Sequence, residues 1–298
     1  MAGLKFGVIA ELVARGGVSS ASLLEDNCRT IDLLLGQFES VWFDDHFQKD
    51  KDPVFESWTS LTYLASRYPD LKFGNLVLCQ SYRNPGLLAK MMATLQVLSK
   101  GRYIAGLGTG WKEDEYLAYN YPFPPFRERF EQLSELVQIL RLMWNESPAT
   151  FEGRHYRVKD AYCEPLPDFP PPLLIGGGGE KFTLRLVAEQ ADWMNIAFPD
   201  VTTFKRKLEV LDGHCQTVGR APESITRSLW TYVEIKPDEH SPGVDTRDRH
   251  FVSGSADQVA AELRKFQAAG AECVMIRFVD FPKTTMAERF LNEVIPQI

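Results

Sequence analysis

The feature that most constrains this chain is an alternation that repeats along nearly all of its length. Short continuous apolar runs are each followed by an amphipathic stretch of helical length. Runs at 4–10, 40–45, 71–79, 103–107, 173–175, 192–197, 225–234 and 273–279 read as strands. Stretches at 22–38, 55–66, 180–190 and 201–218 carry apolar residues at helical spacing. Two further helices announce their own starts. Asn84-Pro85 combines a good cap with a proline at the first helical position, where the missing N–H would be unpaired anyway. Ser255-Ala256-Asp257-Gln258 has the spacing of a capping box. Strands that are apolar throughout are buried on both faces, and strand–helix alternation builds a parallel sheet. Eight such units within 298 residues predict an α/β fold, a (β/α)8 TIM barrel, with an open doubly wound sheet as the alternative.

Two stretches break the rhythm. Residues 111–170 begin with a loop marked by Pro122, Pro124 and Pro125 and continue into a helix lined by Phe130, Leu133, Val137, Leu140 and Trp144. A small hairpin follows at Phe151-Glu152-Gly153-Arg154-His155-Tyr156, then a proline-rich connector up to Pro172. We read this as an insertion after the fourth strand of a single domain spanning 1–298. The polar stretch 236–249 reads as a second insertion, after the seventh strand.

Composition narrows the function classes. Lys plus Arg number 33 against 40 Asp plus Glu, a formal charge of −7, which argues against nucleic acid or an anionic membrane as partner. No apolar run approaches the ~18–20 residues of a membrane-spanning helix, and the first ten residues carry no signal-peptide pattern. Cys28, Cys79, Cys163, Cys215 and Cys273 are odd in number, without CxxC or zinc spacing. Free thiols in a reducing cytoplasm are expected.

Barrels of this kind place chemistry at the C-terminal strand ends. Ala10-Glu11, Asp44-Asp45-His46, Cys79-Gln80-Ser81 and Gly108-Thr109-Gly110-Trp111 follow the first four strands. Gly176, Gly177, Gly178 and Gly179 follow the fifth, and Asn195, Glu234 and Arg277 mark the last three. Four glycines between a strand and a helix expose backbone N–H groups beside a positive helix end, a ready phosphate site; a tightly packed turn is the other reading. Gly108-x-Gly110 fails as a dinucleotide fingerprint because the third glycine is missing. His46 suits proton transfer near neutral pH, or could be a structural histidine bonded to Asp44 or Asp45. A metal at Asp44-Asp45-His46 is disfavoured, because the first strand, Phe6-Gly7-Val8-Ile9-Ala10, offers no ligand. Cys79 has no basic sequence neighbour to activate it, so it reads as structural. Trp111, just past a glycine turn, is either a cover over a flat ligand or a core aromatic.

Taken in order, several segments resemble the luciferase-like monooxygenase superfamily, in its deazaflavin (coenzyme F-420) oxidoreductase branch. They are Trp42-Phe43-Asp44-Asp45-His46-Phe47, Arg83-Asn84-Pro85, Leu98-Ser99-Lys100-Gly101-Arg102-Tyr103, Gly106-Leu107-Gly108-Thr109-Gly110-Trp111, Phe151-Glu152-Gly153-Arg154-His155-Tyr156, Leu174-Ile175-Gly176-Gly177-Gly178-Gly179-Glu180-Lys181 and Val252-Ser253-Gly254-Ser255. The resemblance implies a flavin-like ring at the barrel mouth and a non-proline cis peptide whose counterpart is Asn75-Leu76. It also implies cofactor contacts from Asp45, Asn75, Leu76, Gly108, Thr109, Gly110, Trp111 and Gly176 through Gly179, with His46 as the catalytic group and no metal. Lys112 and Lys181 are candidates for an acidic cofactor tail. The sugar-phosphate dehydrogenase pattern is broken: its acidic residue after the strand 4 glycines is replaced by Trp111, and its tryptophan four residues after the histidine by Asp50. The implied function is hydride transfer between coenzyme F-420 and a small organic substrate. An FMN-dependent monooxygenase and a non-catalytic flavin- or deazaflavin-binding protein are the alternatives. A cytoplasmic homodimer is the expected assembly.

Overall fold

The computed structural model describes residues 3–15, 18–236 and 249–298. In chain order the strands are β1 (Lys5–Ile9), β2 (Ser40–Phe43), β3 (Lys72–Asn75), β4 (Leu78–Cys79), β5 (Tyr103–Gly108), β6 (Ala149–Glu152), β7 (Arg157–Ala161), β8 (Leu173–Gly176), β9 (Trp193–Ala197), β10 (Thr226–Ile235), β11 (Val252–Gly254) and β12 (Cys273–Phe278). The α-helices are α1 (Ser20–Leu34), α2 (Ser57–Arg67), α3 (Pro85–Leu98), α4 (Glu113–Ala118), α5 (Phe126–Asn145), α6 (Thr183–Gln190), α7 (Val201–Val218), α8 (Ala256–Ala268) and α9 (Thr285–Arg289).

Every neighbour in the series β1–β2–β3–β5–β8–β9–β10–β12 is parallel, and β12, near the end of the chain, pairs back onto β1 at its start. The sheet therefore closes: the molecule is a (β/α)8 barrel and not the open alternative. Closure is what no periodicity could reveal, since it depends on one pairing between strands far apart in sequence.

The two-residue period of a strand sorts side chains into two cores. Phe6, Val8, Val41, Phe43 and Phe73 face outward onto the helices in the large core. Ile9, Trp42, Ile104, Leu174 and Met275 face inward and fill the barrel. Trp42 is fully buried, its indole N–H donating to Ser40 Oγ (2.8 Å). The barrel floor is thus solid, and space opens only at the C-terminal rim.

The caps follow the sequence closely. Asn84 accepts from Leu87 N–H at the start of α3, and both halves of the Ser255–Gln258 capping box are formed. The third strand is not the continuous run 71–79. It breaks into β3 and β4 around a cis peptide between Leu76 and Val77, one residue beyond the Asn75-Leu76 bond expected from the resemblance. Leu76 N–H still donates to Phe43 O (2.7 Å), so the β2 ladder continues through Asn75-Leu76 and ends only afterwards.

Within 111–170, α5 packs against both α3 and α6, so it occupies a place in the outer helix ring. The segments that project from the barrel plan are α4 with its flanking loops and the antiparallel β6–β7 hairpin. The expected insertion at 236–249 lies, apart from its two end residues, outside the described residues. Beyond it, β11 adds a short parallel strand to β10. Among the described residues no helix is long and apolar enough to cross a membrane.

Candidate active site

The C-terminal strand ends surround a cavity of about 500 Å³, within the ~300–1,000 Å³ usual for small-molecule sites. Of the residues singled out in the sequence, Asp45, His46, Leu76, Gly108, Thr109 and Gly110 line it, as do Trp111, Gly176 and Gly177. Asn75, Gly178 and Gly179 do not. Asn75 shares a strand face with Phe73 and so turns away from the barrel interior. Its amide donates to Ser57 Oγ (3.2 Å) and accepts from Tyr103 Oη (2.9 Å).

His46 follows β2, and its partner is not the neighbouring Asp44 or Asp45. Nδ1 meets the Glu115 carboxylate at 3.0 and 3.1 Å. Glu115 sits on α4, a helix too short and polar to read from sequence, where its side chain and that of Tyr116 are buried. Burial by itself lowers the proton affinity of His46, but the Glu115 hydrogen bond and the fields of Asp44, Glu115 and Asp45 outweigh it, so the pKa lies above its ordinary value. Burial raises Glu115 in turn, and its bond to His46, the His46 field, the Gln48 N–H and Lys112 together more than reverse this, leaving its pKa below the usual range. The pair is therefore biased towards imidazolium and carboxylate. Gln48 N–H (3.3 Å) and Tyr82 Oη (3.4 Å) also donate to Glu115. Lys112, a candidate for an acidic cofactor tail, is instead drawn to Asp114 (2.5 Å) and Glu115 (3.5 Å). Trp111 is not a core aromatic: it stands 65% exposed at the rim, edge-on to His46 with centroids 5.8 Å apart.

The two aspartates before His46 are held from below. Asp45 receives a bidentate pair from Arg83 (2.8 and 3.0 Å) and the N–H of Cys79 (2.9 Å). It borders the cavity, but both of its oxygens are already engaged, so it fixes the turn that carries His46. Arg83 also donates to Glu56 (2.7 Å). Asp44 accepts from Arg277 Nη1 (3.3 Å), and Arg277 Nη2 donates to Ala10 O (2.8 Å). Cys79 is buried with its sulfur 2.9 Å from Tyr116 Oη. Burial pushes its thiol up to about 11, with hydrogen bonds opposing only in part, so it is protonated and unreactive near neutral pH.

The glycine turns work by close approach. A Cβ on Gly108 or Gly176 would stand 2.6 or 2.9 Å from the Val77 methyls, so bare backbone is what lets the β3–β4 break press into the mouth. Gly177 adopts φ +124°, a conformation side chains rarely take. Among the described residues the N–H groups of Gly178 and Gly179 donate to no protein acceptor, and the Lys207 stem packs beside Gly178. The helix expected from residue 180 starts at Thr183, which leaves these donors on an open turn.

The profile of the family described as luciferase-like monooxygenase matches residues 35–241. The chain belongs to the luciferase-like monooxygenase family. It is 36% identical over 149 residues to the F-420-dependent glucose-6-phosphate dehydrogenase of Kineococcus radiotolerans, covering 49% of this chain and 44% of that protein. The chain thus spans less than half the length of that relative. It is 33% identical over 303 residues to the enzyme of the same name from Amycolatopsis mediterranei, covering 87% of this chain and 90% of that one. Among solved structures, an F-420-dependent secondary alcohol dehydrogenase in complex with an F-420–acetone adduct superposes with a TM-score of 0.85 at 20% identity, over 99% of this chain and 98% of that one.

Within this member of the luciferase-like family, sequence reasoning missed Glu115 and the anchoring role of Arg83. The acidic run Glu113-Asp114-Glu115, two residues past the Gly108-Thr109-Gly110 turn, is the one signal that could have indicated the first. A third omission is an aromatic wall on the far side of the mouth. Phe198, Trp230 and Tyr232 line the cavity there, and Phe198 sits at φ +54°, a strain of about 1–3 kcal/mol for such a residue.

Proposed function

We propose that this chain is an F-420-dependent oxidoreductase that moves a hydride between the coenzyme and a small organic substrate. The observation that carries this reading is the His46–Glu115 pair, biased towards the protonated imidazole and set in the wall of a cavity between two glycine turns. The names of its dehydrogenase relatives support it. The residues fit such a group: Gly176 and Gly177 border the cavity, and the unclaimed N–H groups of Gly178 and Gly179 continue the turn as a cradle for a phosphate. Leu76, Val77, Gly108, Thr109 and Gly110 would flank the ring system. When bound, the deazaflavin supplies hydride chemistry at its ring carbon.

The chain's own contribution is proton handling. Glu115 holds Nδ1 of His46, which leaves Nε2 as the atom that exchanges a proton with substrate. In the imidazolium form Nε2 donates to the developing oxyanion of a carbonyl under reduction. In the reverse direction the ring starts neutral: Nδ1 keeps its proton and donates it to the Glu115 carboxylate, while Nε2 accepts the hydroxyl proton of an alcohol. Asp45, gripped by Arg83, keeps the turn in place during either step, and general acid–base assistance of this kind is worth about 10²–10⁴-fold.

An FMN-dependent monooxygenase is the second reading, favoured by the family's own description. Titration of the purified protein with each cofactor, followed by its absorption spectrum, separates the two: submicromolar binding of FMN and none of F-420 would overturn the first. We place the protein in the cytoplasm, in line with five buried free thiols, and infer a homodimer from exposed Leu87, Leu98 and Phe169. Light scattering in solution tests the assembly.

A further inference from the structure

We propose that the wall formed by Phe198, Trp230 and Tyr232 selects a flat aromatic or conjugated substrate carrying an anionic group, the anion lying at Arg249. The inference rests on the function proposed above and names its substrate class. In the eight-strand ring β9 stands four strands from β2, so the end of β9 lies across the mouth from His46. Phe198 follows β9, and Trp230 and Tyr232 point inward from β10, alternating with buried Leu229 and Val233. A substrate whose reacting atom meets His46 therefore rests its body on this wall.

The wall is built from rings packed on one another, with Arg277 over the Trp230 ring at 5.5 Å. Phe198 lies 4.5 Å from Trp230 and is stacked on Tyr232, with planes 6° apart and centroids at 5.8 Å. Phe251 backs Tyr232 at 4.6 Å without lining the cavity. All three wall residues are half-buried, so each keeps ring surface towards the cavity. Phe198 reaches this position through a left-handed backbone, held by its N–H donating to Trp230 O (2.9 Å). Bulky residues persist in that conformation where the surroundings over-determine it, and such sites cluster at ligand clamps. Stacked rings offer planar substrates offset and edge-on contacts that a saturated skeleton cannot match.

The charge follows from Arg249. Its guanidinium lies over the Phe198 ring, 5.0 Å from the centroid, and lines the cavity. Of the other cations that line the cavity, Lys112 and Arg277 are engaged by carboxylates and Arg15 lies 4.0 Å from Glu11, while Lys49 follows β2, on the His46 side of the mouth. Among the described residues no carboxylate lies within ion-pair distance of Arg249, so a planar guanidinium stands ready for an anion beside the aromatic surface.

The test uses 1-naphthoate, its saturated analogue decahydro-1-naphthoate, and uncharged 1-naphthamide. Each is titrated by calorimetry into the protein with and without F-420. We expect 1-naphthoate to bind at least tenfold more tightly than either comparator. Phe198→Gly removes the ring while glycine accepts the left-handed backbone, and it should weaken 1-naphthoate at least tenfold with the F-420 Kd within twofold. Arg249→Gln, at an exposed position, should abolish the preference for naphthoate over naphthamide. Equal affinity for the aromatic and saturated acids, or unchanged naphthoate binding in a folded Phe198→Gly variant, overturns the proposal. A wild-type protein that does not distinguish naphthoate from naphthamide overturns its anionic part. Failure of F-420 to bind is read separately, from the cofactor's own absorbance, and counts against the proposed function; the naphthalene series on cofactor-free protein still decides the wall.

Discussion

The two sides of the barrel mouth are built on different principles. Around β1, β2 and α4, charge is matched to charge: Arg83 with Asp45 and Glu56, Arg277 with Asp44, and His46 with Glu115. Around β9 and β10, rings lie on rings and Arg249 stands without a carboxylate partner among the described residues. Buried ion pairs fix direction, because each charge must keep its partner or pay desolvation. Aromatic packing fixes a surface but leaves its occupant open. One side is thus suited to holding a proton in a set place, the other to choosing what approaches it.

The sharpest way to break this contrast is at His46. His46→Gln should lower kcat by about 10²–10⁴-fold while the F-420 Kd changes less than threefold. A variant with lost cofactor and near-normal turnover in the bound fraction would make His46 structural. Next in size, Arg83→Met leaves Asp45 buried without its cation and should cost about 3–5 kcal/mol in denaturant unfolding. A loss below ~1 kcal/mol would show that the charged side is held by something other than its pairs.

The glycine turn offers a smaller effect. Gly177→Val would confound binding with backbone strain, because φ is +124° there. At Gly178 an added Cβ meets the Lys207 stem only at ordinary contact, 3.6 Å. Gly178→Ala should therefore keep the melting temperature while weakening F-420 several-fold. Unchanged affinity would remove the phosphate from that part of the turn.

The His46–Glu115 pair has a pH signature. His46 has a raised pKa when folded, so its stabilising contribution is full below the ordinary histidine value of about 6.5 and fades as pH rises through the folded value. Glu115 has a lowered one, so its contribution is present above the usual carboxylate range and fades as pH falls through the folded value. The stability advantage of wild type over His46→Gln should peak between these limits and shrink towards pH 9 in parallel denaturant melts. A flat difference would mean that the pair carries no net charge interaction. Smallest of all, Cys79→Ala should retain activity within about threefold, since a thiol raised to about 11 is protonated. Inactivation of a folded variant would place sulfur chemistry in the mouth.

The eight strand–helix units, the caps at Asn84 and Ser255, and the strand-end positions of His46 and the glycine turns were fixed by the sequence alone. These are local properties, set by side-chain period, turn chemistry and backbone freedom, and they act within a few residues. Partnership was decided only by the tertiary structure. His46 finds Glu115 across 69 residues, and Asp45 finds Arg83 across 38; neither separation carries a periodic trace. The same holds for the β1–β12 closure, for Asn75 turning outward with Phe73, and for Phe198 stacking on Tyr232. Each depends on where distant backbones come together, and electrostatic and ring contacts act through space with no record of the chain between them.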